Sequence, residues 1–352
     1  MWMILTILVA SVTGFCLLKL RVPGGMLVGA IIGAAALSLI TQKAFIYPET
    51  RILAQSLTGA YIGCMVTRQD VCHLPKLIKP YLLVMGSLLA LNICMGIAIY
   101  ALTDFDLLTC LFCAAPGGVS DTPLIAMDVG ADASIVAVMQ FVRMLFGMGC
   151  LPSIILLSDR MIEPGHLPQQ QEGTQSSPSK SNADRKPTLI GFLPVFSVAL
   201  AAGTLGKCSG MPAGTMSAAL IVTAAINISG KCSGMPMWLR RVAQVISGCC
   251  IGSGIMREQV LRMRQMILPA VLLCLGYIVC CIGVGYIMSK LFHIELRESM
   301  LTLSPAGATE MALIAADLGV ESANLVVLQL CRLVGVMVLF PHIFRLIVTV
   351  FG

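Results

Sequence analysis

Two pairs of polar side chains stand where a membrane would make them expensive. Gln140 and Arg143 lie three residues apart in an apolar stretch, and Gln329 and Arg332 repeat the arrangement. Residues three apart share a helix face. An arginine at membrane depth costs about 2.5–3.5 kcal/mol even on insertion scales, so it must face a partner or water. Upstream of each pair an acid follows a hydroxyl: Ser120-Asp121 and Thr309-Glu310. Each of these follows a helix-breaking run, Pro116-Gly117-Gly118 and Pro305-Ala306-Gly307. A helix restarting after such a break presents free N–H groups that bind anions. Transporters place coupling carboxylates beside such breaks. The candidate solute-binding residues are therefore Gly117, Gly118, Ser120, Gln140, Arg143, Gly307, Thr309, Gln329 and Arg332. The candidate ion-coupling residues are Asp121, Asp128, Glu310 and Asp317.

Each assignment has a plainer alternative. Arg143 could be held in an ion pair with Asp121 or Asp128, and Arg332 with Glu310 or Asp317. Asp121 and Glu310 could be capping charges at helix N-termini. Asp128 and Asp317, two residues before Gly130 and Gly319, could bond their own turns.

The two sets belong to an internal duplication. Pro116 to Arg143 and Pro305 to Arg332 align without a gap at an offset of 189 residues. The same offset pairs Pro23 with Pro212, Gly25 with Gly214, and Ala54-Gln55 with Ala243-Gln244. It also pairs Gly59, Gly63, Arg68, Pro80 and Pro152 with Gly248, Gly252, Arg257, Pro269 and Pro341. Glycines four apart suit close helix packing. Gly118 and Gly307, at the breaks, should tolerate substitution less well than Gly29 or Gly96.

Composition sets the class. Hydrophobic residues make up 57% of the chain and charged residues 11%. Soluble domains carry about 25% charged residues, so an all-α polytopic membrane protein is expected. The net charge of +6 is spread over short loops, as membrane topology and anionic headgroups require. Most of the 15 cysteines sit in apolar runs and act as small hydrophobes. Cys208 and Cys232 lie in a local echo that reads as turn chemistry. His73, His166, His293 and His342 match no ligand spacing, so no metal and no cofactor is expected. No nucleic-acid module is present. The N-terminus reads as a first span or signal-anchor.

Positioning the candidate residues takes six apolar stretches per copy, near 3–18, 24–41, 52–67, 80–101, 107–128 and 134–157 in the first. Residues 1–160 form one repeat and 188–352 the other. A polar Ser/Gln/Pro-rich linker, 161–187, joins them and reads as disordered. The fifth stretch of each copy splits into halves of about 15 Å, half a bilayer core. It is one broken span or a re-entrant hairpin. With the N-terminus outside, Lys19, Arg21, Arg68, Lys76 and Lys79 fall inside, while Asp104 and Asp106 fall outside. A re-entrant fifth stretch then leaves five spans per copy, a cytoplasmic linker and inverted repeats, in keeping with the positive-inside rule. A full crossing would give six spans and parallel copies. Inversion would bring the two breaks together near the midplane.

The two motifs, each followed by Gln-x-x-Arg, resemble those of the bacterial AbrB-type membrane family. The resemblance covers nearly the whole chain outside the linker. The first copy departs from the usual Glu-Met-Ala at Asp121-Thr122-Pro123. Membership implies a duplicated, multi-pass protein of the bacterial inner membrane, labelled in that family as a regulator or an ammonia monooxygenase. The paired breaks are more loosely similar to those of secondary carriers. The expected function is a carrier of a small anionic solute, not an enzyme, with H+ or Na+ as coupling ion. A membrane-embedded regulator of gene expression that binds a ligand without moving it is the alternative. The expected partners are the solute and the lipid bilayer, with a homodimer as one admissible assembly.

Overall fold

The computed structural model describes residues 2–20, 25–41, 44, 46–47, 49–119, 121–162, 189–211, 213–230, 236–255, 263–305 and 323–351. Among them every regular element is helical. The first copy contributes α1 (Trp2–Lys19), α2 (Gly25–Thr41), α3 (Glu49–Met65), α4 (Arg68–Leu102), α5 (Leu107–Ala114), α6 (Thr122–Val129), α7 (Ala133–Gly149) and α8 (Leu151–Ile162). The second contributes α9 (Leu189–Cys208), α10 (Gly214–Ile228), α11 (Met237–Gly252), α12 (Ile267–Phe292), α13 (Leu296–Leu303) and α14 (Ala323–Phe351).

Four segments among the described residues are long and apolar enough to cross a membrane: Trp2–Lys19, Leu77–Leu102, Ile267–Phe292 and Asn324–Val350. The bent pair α7–α8, with a 44° angle at its break, makes a fifth if it is one span. Large apolar side chains such as Leu82, Leu205, Val279 and Leu346 point outward, as lipid-facing groups do. The fourth helix starts earlier than its apolar stretch. Thr67 and Asp70 form a capping box that nucleates it at Arg68, so Pro75 and Pro80 fall inside.

The helices group into two bundles. One holds α1–α3 with α9–α11, the other α4–α8 with α12–α14. Contacts between the bundles are sparse and run mainly from α11 to α6 and α7. Within the first bundle the copies exchange partners. α3 packs on α10, and α11 packs on α2. Paired glycines make the close approach. A Cβ added at Gly59 would lie 2.6 Å from the Met216 carbonyl oxygen, and one at Gly63 would lie 2.7 Å from that of Leu220. The duplicates repeat this, with Gly248 against Leu27 and Ala30, and Gly252 against Ile31 and Ala34. Each contact is its counterpart shifted by 189 residues. Residue numbers rise together along α3 and α10, and along α11 and α2, so each pair runs parallel.

Gly29 and Gly96 are themselves closely packed. A Cβ on Gly29 would lie 2.5 Å from the Thr13 carbonyl oxygen in the α1–α2 hairpin, and one on Gly96 would lie 2.6 Å from Leu111 Cδ2. Helix packing, invisible from one strand of sequence, makes these glycines tight. By contrast, nothing stands within 4 Å of a Cβ at Gly86 or Gly283. Gly59→Ala and Gly248→Ala should each destabilise the protein by about 1–3 kcal/mol through overpacking. Gly86→Ala and Gly283→Ala should be neutral or slightly stabilising, because alanine is the better helix former. Thermal unfolding in detergent separates the two classes.

Candidate functional site

The first break begins with α5. Asp106 caps its N-terminus, accepting from Thr109 N at 2.9 Å and Thr109 Oγ1 at 2.7 Å. α5 ends at Ala114, since Pro116 cannot continue the helical ladder. Ala115 to Gly118 are irregular. α6 then starts with Asp121 at its N-cap position and Pro123 in its first turn. It ends at Gly130, whose φ of 97° only glycine adopts readily, with Ala131 N donating back to Ala126 O at 2.8 Å. Asp132 caps α7 through Ser134 N and Ile135 N. α7 carries Gln140 and Arg143 back past the break.

A helix ending inside the protein leaves its last carbonyls without intrahelical partners. Side chains take them. Gln140 Nε2 donates to Phe112 O and Ala115 O, both at 3.0 Å. Arg143 donates from Nη1 to Ala115 O and from Nη2 to Gly117 O. Asn92 Nδ2 donates to Leu111 O, and the Tyr277 hydroxyl to Ala114 O, both at 3.1 Å. The guanidinium also places positive charge at the negative end of the α5 dipole.

The second copy repeats the device. Gln329 Nε2 donates to Leu301 O at 2.7 Å. Arg332 Nη1 donates to Thr302 O at 2.9 Å and to Ser304 O at 2.5 Å. Leu301 and Ser304 are Phe112 and Ala115 shifted by 189. All four side chains are buried, Arg143 at 1% and Arg332 at 3% exposure. Tyr277 on α12 adjoins the first cluster. Its ring centroid lies 5.7 Å from Arg143 Cζ.

The predicted residues therefore fall into four groups. Gly117, Gln140, Arg143, Gln329 and Arg332 meet at the ends of α5 and α13. Gly118 packs on the carboxylate of Asp121, so its lack of a Cβ makes room for a buried acid. Asp128 is half-buried in the last turn of α6. Ser120, Gly307, Thr309, Glu310 and Asp317 lie outside the described residues. Arg143 is not ion-paired to Asp121 or Asp128; its described bonds go to carbonyl groups.

Sequence reasoning missed four contributors. Asn92 and Tyr277 have no polar counterpart in the other copy, where Cys281 and Leu88 stand. Gln55 and Arg51, one turn apart on α3, reach across the seam between the bundles. Gln55 Nε2 donates to Leu124 O at 3.1 Å and Arg51 Nη1 to Met127 O at 3.4 Å, both on α6. Arg51 repeats as Arg240. Arg240 instead covers the ring of Tyr61 at 4.5 Å, within its own bundle.

Apolar helices of spanning length, with matched helix ends bound by buried side chains, define a membrane protein of duplicated design. The profile of the family described as "Transition state regulatory protein AbrB" matches it twice, over residues 1–158 and 162–348. The chain belongs to the AbrB family. It is 27% identical to "Putative regulator AbrB" of Escherichia coli (strain K12), over 94% of this chain and 92% of that protein. It is 25% identical to "Uncharacterized protein YhjN" of Bacillus subtilis (strain 168), over 97% and 92%.

Arg143→Met and Arg332→Met should each destabilise the protein by about 3 kcal/mol or more, since each leaves two buried carbonyls without a charged donor. Lysine should restore only part of this, because a point charge cannot span two carbonyls as a fork does. Tyr277→Phe should cost about 0.5–1.5 kcal/mol, the net worth of one hydrogen bond. Denaturation in detergent reads all three.

Proposed function

We propose that the chain is a multi-pass secondary carrier of the bacterial inner membrane, moving a small solute that bears an anionic group. The observation that carries this reading is the pair of helix breaks, bound in register by Gln140–Arg143 and Gln329–Arg332. Broken helices at matching positions of two repeats mark carrier sites. The few helix–helix contacts between the bundles support it, because such a seam is where one bundle can move against the other. The described partners of both arginine forks are carbonyl groups. Their role is to hold the breaks open, while the solute takes the α6 side and the bundle seam. Asp121, buried against Gly118, is the coupling carboxylate for H+ or Na+.

Inverted repeats are part of the same proposal. Successive spans alternate in direction, so a third helix of one copy running parallel to a second helix of the other fits copies of opposite sense. The linker 161–187 is then cytoplasmic, and the protein is not an enzyme.

Two measurements test this. A cysteine placed at Ser177 should resist membrane-impermeant reagents in whole cells, whereas labelling would reverse the orientation or the repeat parity. In proteoliposomes, an imposed proton or sodium gradient should drive uptake of a solute that binds the purified protein, and Asp121→Asn should abolish that coupling. A ligand that binds without flux would favour the regulator suggested by the name of the E. coli relative.

A further inference from the structure

A cavity of about 560 Å³ opens in the seam between the bundles. One wall is α3 and the end of α11, with Tyr47, Arg51 and Cys250. The other is the N-cap of α5 and the α6–α7 turn, with Asp106, Asp132 and Ser134. Its size falls among cavities that hold small molecules, about 300–1,000 Å³.

The charges in this cavity are arranged for a particular ligand chemistry. Arg51 makes one long bond, 3.4 Å to Met127 O, and no ion pair among the described residues. Most of its donor fork is left for a ligand. Asp106 and Asp132 face it from the other bundle. Both are fixed in position by capping bonds, and Asp132 N donates to Thr109 Oγ1 at 2.9 Å, which ties the two caps into one frame. A carboxylate has about four lone-pair sites, so a capping aspartate can still accept from an ammonium group. Among the described lining residues, Arg51 stands opposite Asp106 and Asp132, a set that suits a molecule carrying both charges. Ile251, Ala133 and Met127 supply apolar lining for its side chain.

We propose that this cavity binds a small zwitterion of the amino-acid class, its carboxylate on Arg51 and its ammonium on Asp106 and Asp132. The proposal rests on the carrier reading and narrows its solute. Because the cavity is lined by both bundles, a bound zwitterion bridges them. Arg51 already touches α6, the half-helix that leads from the break, so occupancy there is reported to the break.

The test uses the purified full-length protein and three probes: leucine, 4-methylpentanoate and isoamylamine. The last two are leucine without its ammonium and without its carboxylate. Ligand-induced thermal stabilisation, followed by titration, gives the affinities. Leucine should saturate at a concentration at least about tenfold lower than either half-molecule, the loss expected when one partner of a charge pair is removed. Arg51→Gln should weaken leucine by about tenfold or more. Asp132→Asn should do the same, since asparagine keeps the capping bonds to Ser134 N and Ile135 N but not the charge. Equal binding of 4-methylpentanoate and leucine would overturn the proposal, as would leucine binding indifferent to both substitutions, or no saturable binding of leucine. Flux separates this from the carrier reading. Uptake of another solute indifferent to Arg51 would reject the zwitterion site alone. Leucine binding without uptake in proteoliposomes would reject the carrier alone.

Discussion

A helix that stops inside a bilayer leaves carbonyl groups with no water to bond, and each unbonded group costs several kcal/mol. Everything distinctive in this fold answers that constraint. α5 stops at Ala114, and the carbonyls of Leu111, Phe112, Ala114, Ala115 and Gly117 are bound by Asn92, Gln140, Tyr277 and Arg143. α13 stops at Leu303, and Gln329 and Arg332 do the same work. Arginine suits the position twice over. Its fork spans two carbonyls, and its charge opposes the negative end of the half-helix. The carbonyls in turn solvate a cation that would otherwise be intolerable there. Neither the break nor the arginine is stable without the other.

The bound breaks explain why the two bundles can be so differently built. The bundle of α4–α8 and α12–α14 contains the polar clusters and is tied together by side-chain bonds to backbone. The bundle of α1–α3 and α9–α11 is held by glycine contacts, with Gly59, Gly63, Gly248 and Gly252 letting the copies interlock. Between them the helix contacts are few, and the polar ones described run from Arg51 and Gln55 to α6 and from Arg345 on α14 to Gly210 O, just past α9. Arg51 and its duplicate Arg240 are not in equivalent settings, since one crosses the seam and the other covers Tyr61.

Much of this was legible from the repeat alone. An offset of 189 residues singled out the breaks, both Gln–Arg pairs and the packing glycines, because a duplicated fold keeps duplicated constraints. What the repeat could not reveal was where the arginines point. Solute, carboxylate and backbone carbonyl all suit a guanidinium, and only the return of α7 past the end of α5 decides among them. Asn92 and Tyr277 stayed hidden because each serves one copy only, opposite Cys281 and Leu88. Gln55 was visible as a repeated position, yet its partner on α6 is far away in sequence and fixed by packing between bundles. The inter-bundle cavity depends on loops from four elements, and no spacing rule joins them.

The central claim is that each Gln–Arg pair holds its own half-helix end. Hydrogen–deuterium exchange followed by mass spectrometry, in detergent, tests it locally. Peptides covering 107–119 and 296–305 are compared between wild type, Arg143→Met and Arg332→Met. The account predicts faster exchange in 107–119 for the first variant and in 296–305 for the second, each leaving the other peptide protected. Wild-type exchange of both peptides in both variants would contradict it.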